Sequence, residues 1–287
     1  PLRRAIEAAL AAGGQTILFL NRRGFSTRIF CFQCGHAERC NDCDVALVFH
    51  AGEHALRCHY CDHTRPVPER CSGCGDPETA LLGVGTERLE EEVRALFPEA
   101  RTLRLDRDSA ARRGHTEKVL RALRDGAVDI VIGTQMVAKG HDFPGVTLVG
   151  VILADTALAL PDFRAAERTF QLITQVVGRA GRGERAGEAV VQTFFPTHYA
   201  VKCGCAQDYA TFAARELEFR TALRYPPITA LVNVVVRGAT AEQAMTDAGT
   251  LARHVARDTG GKAIAILGPA PAPLAKLRGE HRAQFFV

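Results

Sequence analysis

The sequence has no hydrophobic run long enough to cross a membrane. Its longest apolar stretches are residues 147–154 and 231–236, whereas a membrane-spanning helix needs about 20 apolar residues. It also lacks an initiator methionine and the cleavage pattern of a secretory signal peptide. We therefore predict a cytoplasmic protein without membrane contact, and we expect the chain to be a piece of a longer one.

A large excess of charge of one sign is also missing. The formal net charge is +4, from 36 Lys and Arg against 32 Asp and Glu. This balance permits a nucleic-acid partner but does not require one, because phosphate binding depends on where the cations lie. With 47% hydrophobic and 24% charged residues, the composition excludes a disordered chain and is typical of globular domains.

Cysteine, in contrast, is abundant and concentrated. Eight of the ten cysteines lie between Cys31 and Cys74 and form four C-x2-C pairs. A C-x2-C turn presents two sulfur atoms to one metal ion, and zinc prefers four ligands in a tetrahedron. Four pairs therefore predict two zinc sites. The predicted ligands are Cys31, Cys34, Cys40, Cys43, Cys58, Cys61, Cys71 and Cys74.

The spacing favours a nested pairing of these turns. The gap between Cys43 and Cys58 holds 14 residues, whereas only five residues separate Cys34 from Cys40 and leave little chain to fold one pair onto the other. The nested arrangement places the 40/43 and 58/61 pairs on one ion and the 31/34 and 71/74 pairs on the other. A cross-braced pairing is the alternative. Eight sulfur ligands leave no open coordination position, so we expect both sites to be structural.

Other features of this cysteine block point away from general DNA affinity. Between Cys31 and Cys74, four Arg stand against six Asp and Glu, and a module of net negative charge binds phosphate poorly. A protein contact or base stacking is more plausible. We expect its aromatic residues to form a small core; they are Phe30, Phe32, Phe49 and Tyr60. We expect its histidines to lie at the surface or beside the ligands; they are His36, His50, His54, His59 and His63.

The flanking sequence alternates between strand and helix patterns. Apolar runs of the buried-strand type occur at residues 15–21, 102–105, 129–133, 147–154 and 188–194. Helical spacing of apolar residues predicts helices within 83–97, where Thr86 is the expected N-cap, and at 116–125 and 164–177. Uniformly apolar strands that alternate with helices predict an α/β fold with a parallel sheet covered on both faces.

A third region begins near Pro196 and is predicted to be a small α+β domain. Its first helix, 198–224, ends at Tyr225 because the two prolines that follow cannot continue a helix. A strand at 230–237, a helix at 241–257 and strands at 263–267 and 283–287 follow, the last without an element to cover it. We expect three domains: residues 1–30 with 75–195, the zinc insertion 31–74, and the C-terminal domain 196–287.

Two motifs in the α/β region are informative together. Residues 133–142 contain T-x5-G-x-D after an apolar strand, and residues 175–182 read Q-x2-G-R-x-G-R at the end of a helix. In this order and at this spacing they resemble motifs V and VI of superfamily 2 helicases, which lie in the second of two RecA-like lobes. Two arginines three residues apart on a glycine-containing turn are able to reach one phosphate anion together.

The resemblance implies roles for single residues. Arg182 is the expected arginine finger, with Arg179 beside it at the γ-phosphate and Gln175 as a nucleotide sensor. The further expected nucleotide-site residues are Gly140, Asp142 and Gly178. Thr134 resembles that group's contact to the nucleic-acid backbone.

The sequence does not contain a complete nucleotide site. There is no G-x4-G-K-S/T phosphate loop and no D-E-x-H motif anywhere in it. We therefore expect the chain to be inactive alone and to act together with a lobe that binds ATP and Mg.

A zinc insertion in such a lobe is similar to the primosomal protein N′ (PriA) family of replication-restart helicases. The segments that carry the resemblance include LFLNRRGF at 18–25, IGTQMVAKGHDFP at 132–144, TQVVGRAGR at 174–182 and LGPAPAPLAK at 267–276. The family implies an ATP-dependent 3′→5′ DNA helicase that recognises stalled forks and promotes primosome assembly. It also implies the nested pairing of two structural zinc ions. The implied partners are branched and single-stranded DNA, primosome proteins and single-strand-binding protein, and we expect a monomer.

A second hypothesis makes the chain chiefly an assembly platform. The zinc block and the domain after Pro196 would then dock primosome proteins, while the motor fold serves as a scaffold. Asp155 resembles an acidic position of the family whose role chemistry does not assign, and Cys203 and Cys205 are expected to be ordinary thiols. The sequence leaves open whether three basic residues lie on a DNA path; they are Arg22, Arg23 and Arg28. For Arg22 and Arg23, which follow a strand, phosphate contact and a solvated loop are the two alternatives.

Overall fold

The computed structural model describes residues 1–20, 28–43, 45–50, 53–58, 60–82, 85–110, 114–134, 143–158, 162–181, 186–258 and 264–287. The chain forms two compact units. The first consists of Pro1–Ser26 and Val84–Phe219, and the second of Thr27–Gly83 and Arg220–Val287. The cysteine block and the C-terminal region therefore belong to one unit. The predicted three-domain boundaries stay a prediction.

Strands and helices are numbered here in chain order. The described strands are β1 (Gln15–Leu20), β2 (Arg28–Phe30), β3 (Val48–His50), β4 (Ala55–Arg57), β5 (Thr64–Pro66), β6 (Ala80–Leu82), β7 (Thr102–Leu105), β8 (Ile130–Gly133), β9 (Val146–Ile152), β10 (Glu188–Val191), β11 (Asn233–Gly238), β12 (Leu267–Leu277) and β13 (Glu280–Phe286). The described helices are α1 (Leu2–Ala11), α2 (Thr86–Leu96), α3 (Arg107–Ala110), α4 (His115–Arg124), α5 (Ala165–Val177), α6 (Tyr199–Ala206), α7 (Tyr209–Leu223) and α8 (Ala241–Asp258).

A five-stranded sheet forms the centre of the first unit. Its strands lie in the order β10-β9-β1-β8-β7, and each neighbouring pair is parallel. The predicted α/β fold with a parallel sheet is therefore confirmed. Strands β9 and β10 end earlier than predicted, at Ile152 and Val191. The chain turns directly after β9, where Leu153 has a left-handed φ of 54°.

Two hydrophobic cores cover the two faces of this sheet. All six residues of β1, in the middle of the sheet, are buried. Successive side chains of a strand point to opposite faces, so Phe19 belongs to one core and Leu18 to the other. Val119 of α4 and Ile173 of α5 pack in the first core, whereas α1 and α2 contribute to the second. Burial on both faces explains why the strands are apolar runs rather than alternating patterns.

Thr86 is the first residue of α2 and not its N-cap, as the sequence had predicted. Gly85 occupies the N-cap position with extended backbone dihedrals, φ −79° and ψ 158°. The Thr86 side chain is instead buried, and its hydroxyl donates a hydrogen bond to the Asp106 carboxylate. Leu96, at the end of the expected apolar face, is 49% exposed.

The predicted helix 198–224 is two helices, α6 and α7. Gln207 ends α6 with a left-handed φ of 55°, and the Asp208 carboxylate accepts a hydrogen bond from the Thr211 N–H at the start of α7. The break allows α7 to pack back on α5, where the Phe170 and Phe212 rings stack with centroids 4.1 Å apart. The prediction of one continuous helix was wrong because tertiary packing overrides propensity.

In the second unit, an antiparallel sheet has the order β11-β13-β12. Helix α8 packs Ala244, Ala248 and Ala252 against Ala283 and Phe285 of β13. The last strand is thus central and covered, contrary to the expectation from sequence. The strand predicted at 263–267 begins only at its last residue and continues as β12.

The cysteine block adds two small sheets to this unit, the pair β2-β6 and the order β3-β4-β5. Across the residue ranges described above, no helix combines the length and apolar character needed to cross a membrane.

Candidate zinc centres and nucleotide site

The eight cysteines of the block form two groups of four. The first group contains Cys31, Cys34, Cys71 and Cys74, and the second contains Cys40, Cys43, Cys58 and Cys61. Within each group all sulfur atoms lie within 4.8 Å of one another. The grouping is nested and not cross-braced.

The sulfur geometry fits zinc. The Sγ atoms of Cys31 and Cys74 are 3.7 Å apart, and those of Cys40 and Cys61 are 3.6 Å apart. Four thiolates at about 2.3 Å from one zinc ion, arranged as a tetrahedron, lie about 3.8 Å from each other. Both groups therefore have the donor type, number and spacing of a structural zinc centre.

Local backbone geometry shapes the turns that carry these sulfur atoms. In the three C-x2-C pairs whose next residue the structure describes, the N–H group of that residue donates to the carbonyl of the first cysteine at 2.9 Å. These donors are Gly35, Asp62 and Gly75, with left-handed φ angles of 73°, 60° and 77°. Glycine adopts this conformation without strain, and Asp tolerates it. The glycine after two of the pairs is thus a sequence signal for the turn beyond the C-x2-C spacing.

The two groups differ in exposure. Cys43 and Cys58 are fully buried, whereas Cys34 and Cys74 are exposed. Burial raises the pKa of the Cys43 and Cys58 thiols, and zinc binding must displace their protons. In the first group, against the effect of burial, the N–H groups of Cys74 and Gly73 lower the pKa of Cys71 to about 7.

Glu38 lies between the two cysteine pairs that begin at Cys31 and Cys40 and contacts residues from later parts of the block. Its side chain is 2% exposed and pairs with the guanidinium of Arg65 in β5. It also accepts hydrogen bonds from the backbone N–H of Ser72 at 3.2 Å and from the Ser72 hydroxyl at 3.0 Å. Ser72 lies between Cys71 and Cys74 of the first group. Spacing did not predict this role, since the partners of Glu38 are 27 and 34 residues away.

The aromatic residues of the block are only partly in its core. Phe49 packs against the small core that contains Leu47 and Leu56, as expected. Phe32 is 70% exposed and Tyr60 is 44% exposed, so the expected core role is wrong for these two. The described histidines lie outside both sulfur groups, which contain cysteine alone; His59 lies outside the described residues.

The predicted arginine turn follows the C-terminal end of α5. Gln175 is exposed in the last helical turn, Gly178 is the C-cap, and Arg179 is half-buried. Gly181 has a left-handed φ of 71°. A Cβ atom on Gly181 would lie 2.5 Å from the backbone nitrogen of Gly187, so glycine is needed at this close approach.

This turn and Thr134 lie at opposite edges of the parallel sheet. The Gly181 N–H donates to the carbonyl of Val146, the first residue of β9, at 3.3 Å. Thr134 follows the end of β8, and its N–H lies 3.4 Å from the Leu105 carbonyl. Because the strands are parallel, the starts of β8 and β9 share one edge and their ends share the other. The length of β1 separates these edges by roughly 17 Å.

Comparison with known proteins identifies the family. Family models match at residues 40–66 (PriA DNA helicase Cys-rich region domain), 85–184 (Helicase conserved C-terminal domain) and 221–287 (Primosomal protein N C-terminal domain). Among curated proteins, the Replication restart protein PriA of Bacillus subtilis is 43% identical over 286 residues, which cover 100% of this chain and 35% of that protein. The chain belongs to the PriA family.

Other PriA proteins match this chain at a similar identity and coverage. The Treponema pallidum protein is 44% identical over 282 residues, 98% of this chain and 43% of that protein. The Haemophilus influenzae protein is 40% identical over 290 residues, 100% of this chain and 39% of that protein. The chain therefore spans less than half the length of these PriA relatives.

The PriA Cys-rich model covers the second sulfur group but not the first, because Cys31, Cys34, Cys71 and Cys74 lie outside residues 40–66. The structure brings these four flanking cysteines together around the matched segment. The complete pair of zinc centres thus extends beyond the region that defines the PriA model.

Several predicted residues of the PriA nucleotide and DNA sites lie outside the described part of the chain. They are Arg182, Gly140, Asp142, Arg22 and Arg23. Arg28 is half-buried in β2. The roles of all these residues stay predictions.

Asp155, for which sequence suggested no role, has a structural one in this chain. Its side chain is 5% exposed and accepts a hydrogen bond from the Phe194 N–H at 2.8 Å. This bond joins the turn after β9 to the segment after β10. Cys203 is buried in a cluster with Phe170 and Phe212, and Cys205 is exposed.

Proposed function

We propose that the chain supplies the arginine-finger lobe and the zinc module of an ATP-dependent 3′→5′ DNA helicase. The helicase would recognise stalled forks and single-stranded DNA, and restart replication through primosome proteins and single-strand-binding protein. We propose that it works as a monomer in the cytoplasm. ATP and Mg would be bound mainly by a second lobe.

The observation that carries this proposal is the match of residues 85–184 to the helicase C-terminal domain. The same residues contain the arginine motif and Thr134; Gly181 of the motif contacts the start of β9, and Thr134 follows β8 of the same sheet. Relatives named Replication restart protein PriA support the biological role.

The proposed mechanism divides the work between the two edges of the sheet. At one edge, Arg182 would stabilise charge on the transferring phosphoryl group, with Arg179 and Gln175 beside the nucleotide. At the other edge, Thr134 would contact the DNA backbone. Because buried strands connect the edges, closure of the lobe on ATP would displace the DNA contact as part of one rigid body.

Replacement of the arginine finger tests the motor function. In a protein that joins this chain to an ATP-binding lobe, we expect Arg182→Ala to lower DNA-stimulated ATP hydrolysis by about 1,000-fold or more, since arginine fingers contribute that much. Arg185→Ala, in the same basic segment but outside the motif, serves as the matched control and should keep activity. Zinc content and circular dichroism should stay unchanged in both. Full turnover in Arg182→Ala would overturn the assignment.

A second candidate is the assembly platform. It is favoured by the grouping of the cysteine block and the C-terminal region in one compact unit apart from the motor fold. Cys58→Ser should then abolish the loading of primosome proteins on a fork while ATP hydrolysis persists. Retained loading after this change would exclude the platform function.

A further inference from the structure

The strands β12 and β13 are joined by a tight turn at Arg278 and Gly279. Both residues have left-handed backbone, with φ of 52° and 82°, which is the conformation of a two-residue type I′ hairpin turn. Glycine adopts it freely, whereas arginine does so less readily. An arginine at the first position therefore indicates that its side chain makes contacts that offset this backbone cost.

This turn contacts the second sulfur group directly. The backbone N–H of Arg278 donates to the Sγ atom of Cys43 at 3.2 Å. The next N–H, of Gly279, donates to the carbonyl of Asp42 at 2.8 Å. Both acceptors belong to the C-x2-C turn at Cys40 and Cys43.

The same hairpin also reaches the partner turn of that group. The Arg278 Nε donates to the Tyr60 carbonyl at 2.9 Å, between Cys58 and Cys61. On the first turn, the Lys276 Nζ donates to the Asn41 carbonyl at 3.0 Å. Leu277 packs against the small core that contains the buried cysteines of this group. The hairpin thus forms hydrogen bonds to both C-x2-C turns of the second group.

We propose that the β12–β13 hairpin turn is an outer shell of the second zinc centre and controls how firmly that centre retains its metal. An N–H donor to a thiolate stabilises the negative charge of the metal-bound sulfur atoms. Outer partners of metal ligands also fix the orientation of those ligands. The C-terminal domain and metal retention in the second centre are therefore coupled.

The first sulfur group provides an internal comparison. A donor to its Cys71 Sγ is the Gly73 N–H at 3.3 Å, which comes from the same C-x2-C turn. A change in the hairpin should therefore affect the second group and spare the first. This asymmetry separates loss of the outer shell from general destabilisation.

Site-resolved metal release tests the proposal. The triple variant Lys276→Ala, Leu277→Ala, Arg278→Gly removes the side-chain contacts that fix the turn against the second group and leaves its left-handed backbone unstrained. The backbone N–H donors to Cys43 and Asp42 remain in the variant, but they lose the side-chain contacts that hold them in place. The zinc-loaded chain is incubated with a chelator, and cysteine alkylation is followed by mass spectrometry. We expect Cys40, Cys43, Cys58 and Cys61 to be alkylated about tenfold faster than in the unchanged chain, and the first group at an unchanged rate.

The matched control is Arg237→Ala. Arg237 lies in the same sheet and pairs with Glu280 in an exposed ion pair at 3.2 Å, so its loss should leave both release rates unchanged. Unchanged release from the second group in the triple variant, or equal acceleration in both groups, would overturn the proposal. Failure of the unchanged chain to bind zinc in the second group would also overturn it. None of these readouts depends on ATP hydrolysis or DNA.

Hydrogen exchange tests the reverse direction of the coupling. Removal of zinc should accelerate exchange of the Arg278 and Gly279 amide protons, while amides within β11 and β13 keep their protection. Unchanged protection at Arg278 and Gly279 after complete metal removal would contradict the coupling.

Discussion

At the scale of single residues, Glu38 is a buried charge in a module with a small core. Among the residues that the structure describes, three of the six buried residues of that core are cysteines, so polar contacts contribute more here than in a large domain. The Glu38 carboxylate compensates Arg65 and satisfies the N–H and hydroxyl groups of Ser72. Its removal would leave these groups without an acceptor.

We therefore expect Glu38→Ala to lower the free energy of unfolding of the zinc module by about 2 to 3 kcal/mol, since hydrogen bonds to a charged group are lost and Arg65 is left uncompensated. The measurement is the urea midpoint for alkylation of the buried Cys58. Glu53→Ala, which removes an exposed charge from the same block, is the control and should leave the midpoint unchanged. Equal midpoints for all three proteins would show that the Glu38 contacts contribute nothing net.

At the scale of secondary-structure elements, Asp106 joins three of them. It follows β7, and its carboxylate accepts hydrogen bonds from the Ser109 N–H of α3 at 2.8 Å and from the Thr86 hydroxyl of α2. The Ser109 hydroxyl in turn accepts from the Asp106 N–H at 2.8 Å. Such reciprocal bonds are those of a capping box. The end of one strand thereby sets the start of two helices.

This arrangement predicts a pH dependence of stability. Burial opposes ionisation of Asp106, but the Ser109 and Thr86 donors and the nearby Arg104 hold the pKa of its carboxyl below its usual value. The stabilisation is therefore complete above the unfolded-state pKa, about 3.9, and is lost as the pH falls through the lower folded-state pKa.

We expect Asp106→Asn to lower the melting temperature at pH 7 and to flatten its decline below about pH 4, because the variant has no proton to take up at this site. Thermal unfolding at several pH values measures both effects. The exposed Asp125→Asn change is the control. A variant with the same pH profile as the unchanged chain would contradict this role of Asp106.

At the scale of the whole molecule, the parallel-sheet region and the zinc module depend on different stabilising forces. The parallel sheet is held by large hydrophobic cores, whose described residues include no cysteine of the block. The zinc module relies on a small core and on its two sulfur groups. In small modules of this type, metal binding supplies much of the folding free energy.

Metal removal should therefore unfold one part of the molecule and spare the other. After chelation, we expect proteolysis to cut within residues 31–74 while the peptide that contains β9 stays protected. Mass spectrometry of the digest identifies the cuts, and chelator saturated with zinc is the control. Simultaneous cleavage in the zinc module and in the β9 peptide, or no new cleavage, would contradict separate stabilisation.

Features that depend on local pattern and composition follow from the amino-acid sequence alone. The C-x2-C spacing and the gap lengths favoured the nested sulfur groups, since few intervening residues restrict how a chain folds back. Apolar runs such as residues 15–21 indicated buried strands, and their alternation with helices indicated the parallel sheet. The combined motifs and the cysteine block pointed to the PriA family.

Features that depend on partners distant in sequence are set by the folded chain. Glu38 meets Ser72 across 34 positions, Asp155 meets the Phe194 N–H across 39, and Arg278 meets Cys43 across 235. Thr86 was expected to cap α2, but its hydroxyl bonds Asp106 instead. Gln207 ends a helix that local propensity would continue. Spacing constrains only residues that are near in sequence, whereas hydrogen-bond partners and burial are set when separate elements pack together.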